Sequence, residues 1–354
     1  MGFIKDIFTD VNFLSAIITT IVFILLGFFL RRRNIIKEGS TKTLNAIVMN
    51  IAIPCMAFVA FMNDFDLKEF KNNIMALVFS FVFYLILLIL GEVIFIKKPK
   101  KQRKVYSIFV SIGQLTFFSI PMLSAIYSDN LSKVIIPASL MTLSFRFFLY
   151  FYSYISINDL KFNKETLRPT IKKIFLNPIM IMMFLGLFIY LSQSFMFKVN
   201  IKETVNGESI TTAYSILRID KTLKPLYSVL SYGNKMSTPV CMLLIGATLG
   251  ECDLKRAFIN KMAYLIAGLR VLGAPLLVLG LLSIIHFTGL YTLNEYLMAT
   301  LVIGFGAPLS AVVISFCIDA DNEAYMASDA CFLSTLMSVI TIPISLILVK
   351  ACFL

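Results

Sequence analysis

Two stretches set polar and helix-breaking residues inside long apolar runs, and their types suit the binding of a small anion rather than covalent chemistry. In residues 111–127, SIGQLTFFSIPMLSAIY, Gln114 and Ser119 lie with Gly113 and Pro121 where a spanning helix wants Leu or Val. In residues 301–316, LVIGFGAPLSAVVISF, Gly304, Gly306 and Pro308 interrupt a second run, and Ser310 follows. A helix broken at bilayer depth exposes backbone groups, at several kcal/mol, unless they face protein or a water-filled cavity. Paired interruptions in the two halves of a chain point to a substrate site. The plainer alternative is two kinked helices, since Gly and Pro are common in membrane helices. If the broken segments cross, half-helix amino-terminal ends aim partial positive charge at an anion. Gln114, Ser119 and Pro121 then line one half of the site, and Gly306, Pro308 and Ser310 the other.

Three of the 32 Lys and Arg residues, Arg146, Lys235 and Arg270, fall near the middle of apolar runs. About ten residues from a span end is roughly 15 Å of helix, too far for easy snorkelling. A lone Arg at the bilayer centre costs about 2.5–3.5 kcal/mol on insertion scales. Asp329 is the one acid expected at comparable depth, so a structural ion pair is the plain reading. Three cations against one acid nevertheless leave positive charge that a carboxylate would balance. Asp329 is alternatively a coupling group that binds H⁺ or Na⁺. Asn50, before Pro54, either faces the pocket or satisfies backbone opened by the proline. A single histidine, His286, and six scattered cysteines with no framework or ligand spacing argue against a metal site, a histidine-based triad or a disulfide scaffold. No cofactor and no catalytic group are expected, and the chain does not read as an enzyme.

These residues need long helices to hold them. The sequence is 58% hydrophobic and 15% charged, a composition of a polytopic α-helical membrane protein. Ten candidate spans cover residues 11–30, 43–62, 73–96, 105–127, 133–157, 173–196, 224–250, 260–286, 294–318 and 324–349, each near or above the ~20 residues that cross a bilayer. Connections are short, and residues 197–223 hold only mixed polar residues with no room for a soluble domain. The first apolar run ends in Arg31-Arg32-Arg33, which suits a first membrane helix rather than a cleaved signal. Nineteen cations cluster in alternate connections at 31–42, 97–104, 161–173 and 255–261, against ten in the others, which places both termini outside the cell membrane. The net charge of +12 thus reads as a topology signal and a contact for anionic lipid headgroups, and nucleic acid is not an expected partner.

An internal repeat runs beneath the spans. Asn45-Ala-Ile-Val-Met-Asn-Ile-Ala-Ile-Pro54-Cys-Met in span 2 echoes Leu230-Ser-Tyr-Gly-Asn-Lys-Met-Ser-Thr-Pro239-Val-Cys-Met in span 7. The segment around Gly27 in span 1 echoes that around Gly186 in span 6, and the interrupted spans 4 and 9 fall in the same frame. Five spans is an odd offset, so the second copy enters the membrane from the opposite side. The expected fold is ten transmembrane helices in a 5+5 inverted repeat, an alternating-access architecture.

Taken together the motifs resemble the auxin efflux carrier family, which includes plant PIN-FORMED proteins and bacterial malonate and malate permeases. The frame Gln114-Leu-Thr-Phe-Phe-Ser119-Ile-Pro121 resembles the family's fourth span, with Gln for its Asn and Ser for its Gly. Asn177-Pro178, Leu244-Ile-Gly246-Ala-Thr-Leu249, Arg270-Val-Leu-Gly-Ala-Pro275, Ala307-Pro308, Ser334-Thr335 and Thr341-Ile-Pro343 follow in the family's order. The resemblance implies an all-α, bile-acid-symporter-like and NhaA-like fold in which helices 4 and 9 break and cross. It implies one membrane domain over 1–354. Residues 1–62 and 173–250 would form a scaffold and homodimer interface, and 73–157 and 260–350 a moving transport unit. The expected function is secondary transport of a small organic anion, a mono- or dicarboxylate or auxin-like acid. The rivals are a Na⁺- or H⁺-coupled symporter using Asp329 and a non-transporting membrane sensor.

Overall fold

The computed structural model describes residues 11–37, 39–159, 175–205 and 208–353. Twelve helices are named here in chain order: α1 (Val11–Arg32), α2 (Ser40–Val59), α3 (Leu67–Ile94), α4 (Lys100–Ser111), α5 (Leu115–Ile126), α6 (Ser128–Ile157), α7 (Pro178–Ser192), α8 (Lys224–Gly250), α9 (Lys261–Phe287), α10 (Glu295–Gly306), α11 (Ala311–Asp319) and α12 (Ala324–Ala351). Helix falls in each of the ten expected stretches, with the fourth divided into α4 and α5 and the ninth into α10 and α11. Among the described residues, α2, α3, α6, α9 and α12 are long and apolar enough to cross a bilayer alone, while α5, α7 and α10 are shorter apolar helices. The basic stretch 161–173 lies outside the described residues.

Local chemistry explains the boundaries. Asp66 caps α3 by accepting from the N–H groups of Lys68 and Glu69, and Asn294 caps α10 by accepting from Leu297 N at 2.7 Å. Asn177 caps α7, and Pro178 occupies the first turn, where a missing N–H costs nothing. Three prolines inside longer helices are each preceded by a π-helical turn: Val48–Ala52 before Pro54, Leu115–Ser119 before Pro121, and Leu269–Gly273 before Pro275. A proline ring clashes with the carbonyl four residues back, and widening the turn relieves that clash without ending the helix. Pro121 therefore shapes a bulge inside α5. It is not the interruption itself, which lies seven residues earlier.

One element departs from an all-α chain. Lys198–Val205 (β1) and Glu208–Ser215 (β2) pair antiparallel, Lys198 opposite Ser215 and Val205 opposite Glu208. The expectation of an irregular polar connection missed the signal, which is Asn206-Gly207 between two alternating segments. At the foot of this hairpin Arg218, 4% exposed, grips Asp220 through two parallel hydrogen bonds of 2.8 and 2.7 Å and also bonds Asp64 of the α2–α3 connection. Burial opposes the Arg218 charge, but the two carboxylates outweigh it and hold its pKa above the ordinary value.

Small residues bring helices together. On α8, Gly246 and Gly250 are four apart and face α1, where Gly27 faces back. A Cβ on Gly246 would stand 1.9 Å from the Ile24 carbonyl, and one on Gly27 would stand 2.1 Å from the Leu243 carbonyl. Gly186 on α7 meets the end of α2 less closely, at Phe58 and at Phe61 just beyond it. The repeated glycines of spans 1 and 6 are thus packing positions, α1 on α8 and α7 on α2. Gly246→Leu is expected to force these backbones apart and lower the melting temperature in detergent by several degrees, an overpacking cost of about 3 kcal/mol or more. A melting curve superposable on the parent's would refute this contact.

Candidate functional site

The two interruptions meet. The chain is extended over residues 112–114 and again over 307–310, and Gly113 bridges Leu309 antiparallel. Gln114 N–H donates to the Pro308 carbonyl at 2.7 Å, and Ser310 N–H donates to the Ile112 carbonyl at 3.3 Å. The pairing is reciprocal about Gly113 and Leu309, so Gln114 and Ser310 occupy equivalent places. The Leu309 N–H donates to Ser334 Oγ at 3.0 Å, and the Cys331 thiol donates to the Leu309 carbonyl at 3.3 Å. Backbone groups released by the breaks thereby find partners, which the cost of leaving them bare demands.

Arg270 completes that accounting. It is fully buried, donating from Nε to the Ala307 carbonyl at 2.8 Å and from Nη1 to the Val110 and Ser111 carbonyls, both at 2.9 Å. Those carbonyls close α4 and α10, where a helix leaves its last acceptors unpaired and carries partial negative charge. One guanidinium fork therefore ties together two helix carboxyl ends. Gly113 lies under the fork, and a Cβ there would stand 1.9 Å from Nη2. No hydrogen bond to Nη2 is formed by the described residues.

On the far side of each break a helix begins. Gln114 is the amino-terminal cap residue of α5 and Ser310 that of α11, and neither side chain bonds the first turn of its helix. Gln114 is 7% exposed, with no side-chain hydrogen bond to another described residue. Two residues on, the Thr116 hydroxyl is buried without a partner among the described residues. The crossing thus carries two helix amino-terminal ends, an amide and a free hydroxyl, group types that suit an anion. Thr116 was missed by the sequence reading. Its signal was a hydroxyl one turn from the glycine inside an apolar run.

The other expected site residues separate into groups. Ser119 is buried and donates to the Ile303 carbonyl of α10 at 2.9 Å, which ties α5 to α10. Gly306 ends α10 beside Pro275, and Pro308 supplies the carbonyl that Gln114 takes. Asn50 is exposed and its amide donates to the Ala46 carbonyl of its own helix at 2.8 Å. Lys235, mid-span on α8, is exposed over the Tyr232 ring and lies away from the paired breaks in sequence and on another helix. Arg146 is 2% exposed, beside Tyr150 one turn along.

Asp329 is also corrected in place. It lies in the second turn of α12, not level with Arg270, and both oxygens are taken: one by Arg256 Nε and one by the Asn260 amide, each at 2.9 Å. Arg270 is matched by carbonyls and Asp329 belongs to Arg256, while Lys235 stays mid-span on an exposed face of α8.

Comparison with known proteins follows the same line. Residues 12–166 match the family model described as membrane transport protein, the auxin-efflux-carrier-like family that the motifs resemble. The chain is also similar to an uncharacterized transporter of Methanothermobacter thermautotrophicus, 21% identical over 333 residues that cover 93% of this chain and 96% of that one. The resemblance read from the sequence is borne out, with the quoted motifs of spans 6–10 lying beyond the matched residues. These matches and the apolar helices support a multi-pass membrane protein similar to a transport family over residues 12–166, and they point to transport rather than catalysis.

Proposed function

From a chain whose residues 12–166 carry the membrane transport family's pattern, we propose a secondary transporter that moves a small organic anion, a mono- or dicarboxylate or auxin-like acid, by alternating access. The observation that supports this reading is the reciprocal backbone pairing of residues 112–114 with 307–310, which sets two uncapped helix amino-terminal ends beside the same crossing. The carboxylate sits there, held by the Gln114 amide, the Thr116 and Ser310 hydroxyls and the first-turn N–H groups of α5 and α11. Arg270 serves it indirectly by holding the break open.

The ten helices form a 5+5 inverted repeat with crossing fourth and ninth members. The packing of α1 on α8 supports this, since it is the counterpart of α7 on α2 under a five-span offset. Spans 1, 2, 6 and 7 act as the scaffold and pair two copies into a homodimer. Spans 3–5 and 8–10 move against them in a cell membrane, with both termini outside. The rival in which Asp329 binds Na⁺ or H⁺ is less well supported, because its carboxylate already holds Arg256 and Asn260.

The test is a thermal-shift screen of the purified protein against carboxylates, followed by counterflow in proteoliposomes. One carboxylate should raise the melting temperature by mass action and exchange across the vesicle membrane. Stabilisation without exchange would leave a sensor, and exchange driven only by a Na⁺ or H⁺ gradient would restore the coupled rival.

A further inference from the structure

A groove of about 460 Å³ runs along the outer surface of α3, away from the paired breaks. Leu85, Ile89, Val93 and Ile96 line one wall at helical spacing, and the last three are 63, 58 and 62% uncovered by protein. Phe148 and Tyr152 of α6 form the opposite wall. Leu85 to Ile96 spans roughly 15 Å of chain, half of the ~30 Å hydrocarbon thickness, so the groove fits a chain from one leaflet.

Its end is polar. Glu92 accepts from Tyr152 Oη at 3.2 Å and lies 3.6 Å from Arg103 Nη2, a loose contact without hydrogen-bond geometry. The Arg103 Nε is buried with no partner among the described residues. Beside it lie Lys97 and Lys98 of the α3–α4 connection and Lys100, Lys101 and Lys104 of the first turns of α4, none paired with a carboxylate among the described residues. Near this end two acids, Glu92 engaged by Tyr152 and Glu323 engaged by Gln102 and Tyr106, stand against six cations, so the local charge is net positive and favours a negative headgroup. An apolar slot one leaflet deep, ending at an unsatisfied guanidinium N–H, is the shape of a phospholipid site rather than of a bare lipid-facing surface.

We propose that this groove binds one anionic phospholipid of the leaflet beside the α3–α4 connection, with an acyl chain along Leu85–Ile96 and the phosphate on Arg103. The lipid phosphate completes the Arg103 fork, and the flanking lysines screen the remaining charge. The site lies on α3 and α6, so it is distinct from the anion site at the paired breaks and does not depend on what is transported.

The experiment is native mass spectrometry of the full chain in non-ionic detergent, titrated with phosphatidylglycerol, phosphatidylethanolamine and phosphatidylcholine of the same acyl composition. One phosphatidylglycerol is expected to be retained at least about tenfold more tightly than either zwitterionic lipid. Arg103→Ala should weaken it about tenfold by removing the phosphate partner, and Ile89→Trp should do the same by filling the slot without touching charge. Lys101→Ala should matter less than about threefold. Equal retention of the three lipids would overturn the proposal, as would a Lys101→Ala loss as large as that of Arg103→Ala, which would mean diffuse attraction to the loop. Should Arg103→Ala fail to fold, Ile89→Trp decides: undiminished phosphatidylglycerol binding in that variant sinks the site.

Discussion

Arg270→Ala is expected to cost the protein its fold around the paired breaks before it costs it any ligand. The substitution strands three buried carbonyls, those of Val110, Ser111 and Ala307, that have been satisfied by one guanidinium. At about 1–3 kcal/mol for each buried group left unpaired, the loss is on the order of 3 kcal/mol or more. The purified variant should melt several degrees lower in detergent and be cut faster by protease than the parent. Gly113→Ala should resemble it, because its Cβ would stand 1.9 Å from Arg270 Nη2 and displace the fork. An Arg270→Ala protein with parental melting and a selective loss of anion affinity would instead restore this residue as a direct ligand. The distinction matters because a mid-helix arginine invites the substrate-binding interpretation. Here the dipoles of two helix carboxyl ends meet its charge, so no counter-ion is required at that depth.

Gln114→Ala should give the opposite pattern. The side-chain amide has no partner among the described residues, so its removal leaves no buried group stranded and the melting temperature should stay within about a degree of the parent's. Affinity for the carboxylate found by thermal shift should fall about ten- to a hundredfold, the range for one hydrogen bond to a charged group. Gln114→Asn keeps the amide but draws it back by one methylene, and it should bind with intermediate strength. Parental affinity in Gln114→Ala, measured by calorimetry, would remove this amide from the site and leave the helix ends and Thr116 to carry it. Opposed outcomes for Gln114 and Arg270 would separate contact from support.

Much of this was legible in the residues. The two interruptions were named from Gly113, Gln114, Gly306 and Pro308 alone, because a polar or helix-breaking residue inside an apolar run has few tolerable explanations. The span positions followed from hydrophobic length, and the glycines of the repeat marked real helix contacts at Gly27 and Gly186. Other expectations failed for identifiable reasons. Pro121 was read as part of the break, but proline breaks a helix only if its clash cannot be absorbed, and a π-helical turn absorbs it. Lys235 was grouped with Arg146 and Arg270 because depth along a helix is visible in sequence, whereas the direction a side chain faces is not: it is exposed and they are buried. The hairpin was overlooked although Asn206-Gly207 announced it.

Composition, span length and the positions of glycine and proline by themselves determined a multi-pass helical protein with two broken helices, since each is a local property of the chain in an apolar solvent. Which partners the charged residues take was decided only by tertiary structure. Arg270 lies 160 residues from Val110, and Asp329 lies 73 from Arg256. No spacing rule reaches so far. Electrostatic pairing depends on where helices come to rest against one another, and that follows from the packing of whole faces rather than from any motif.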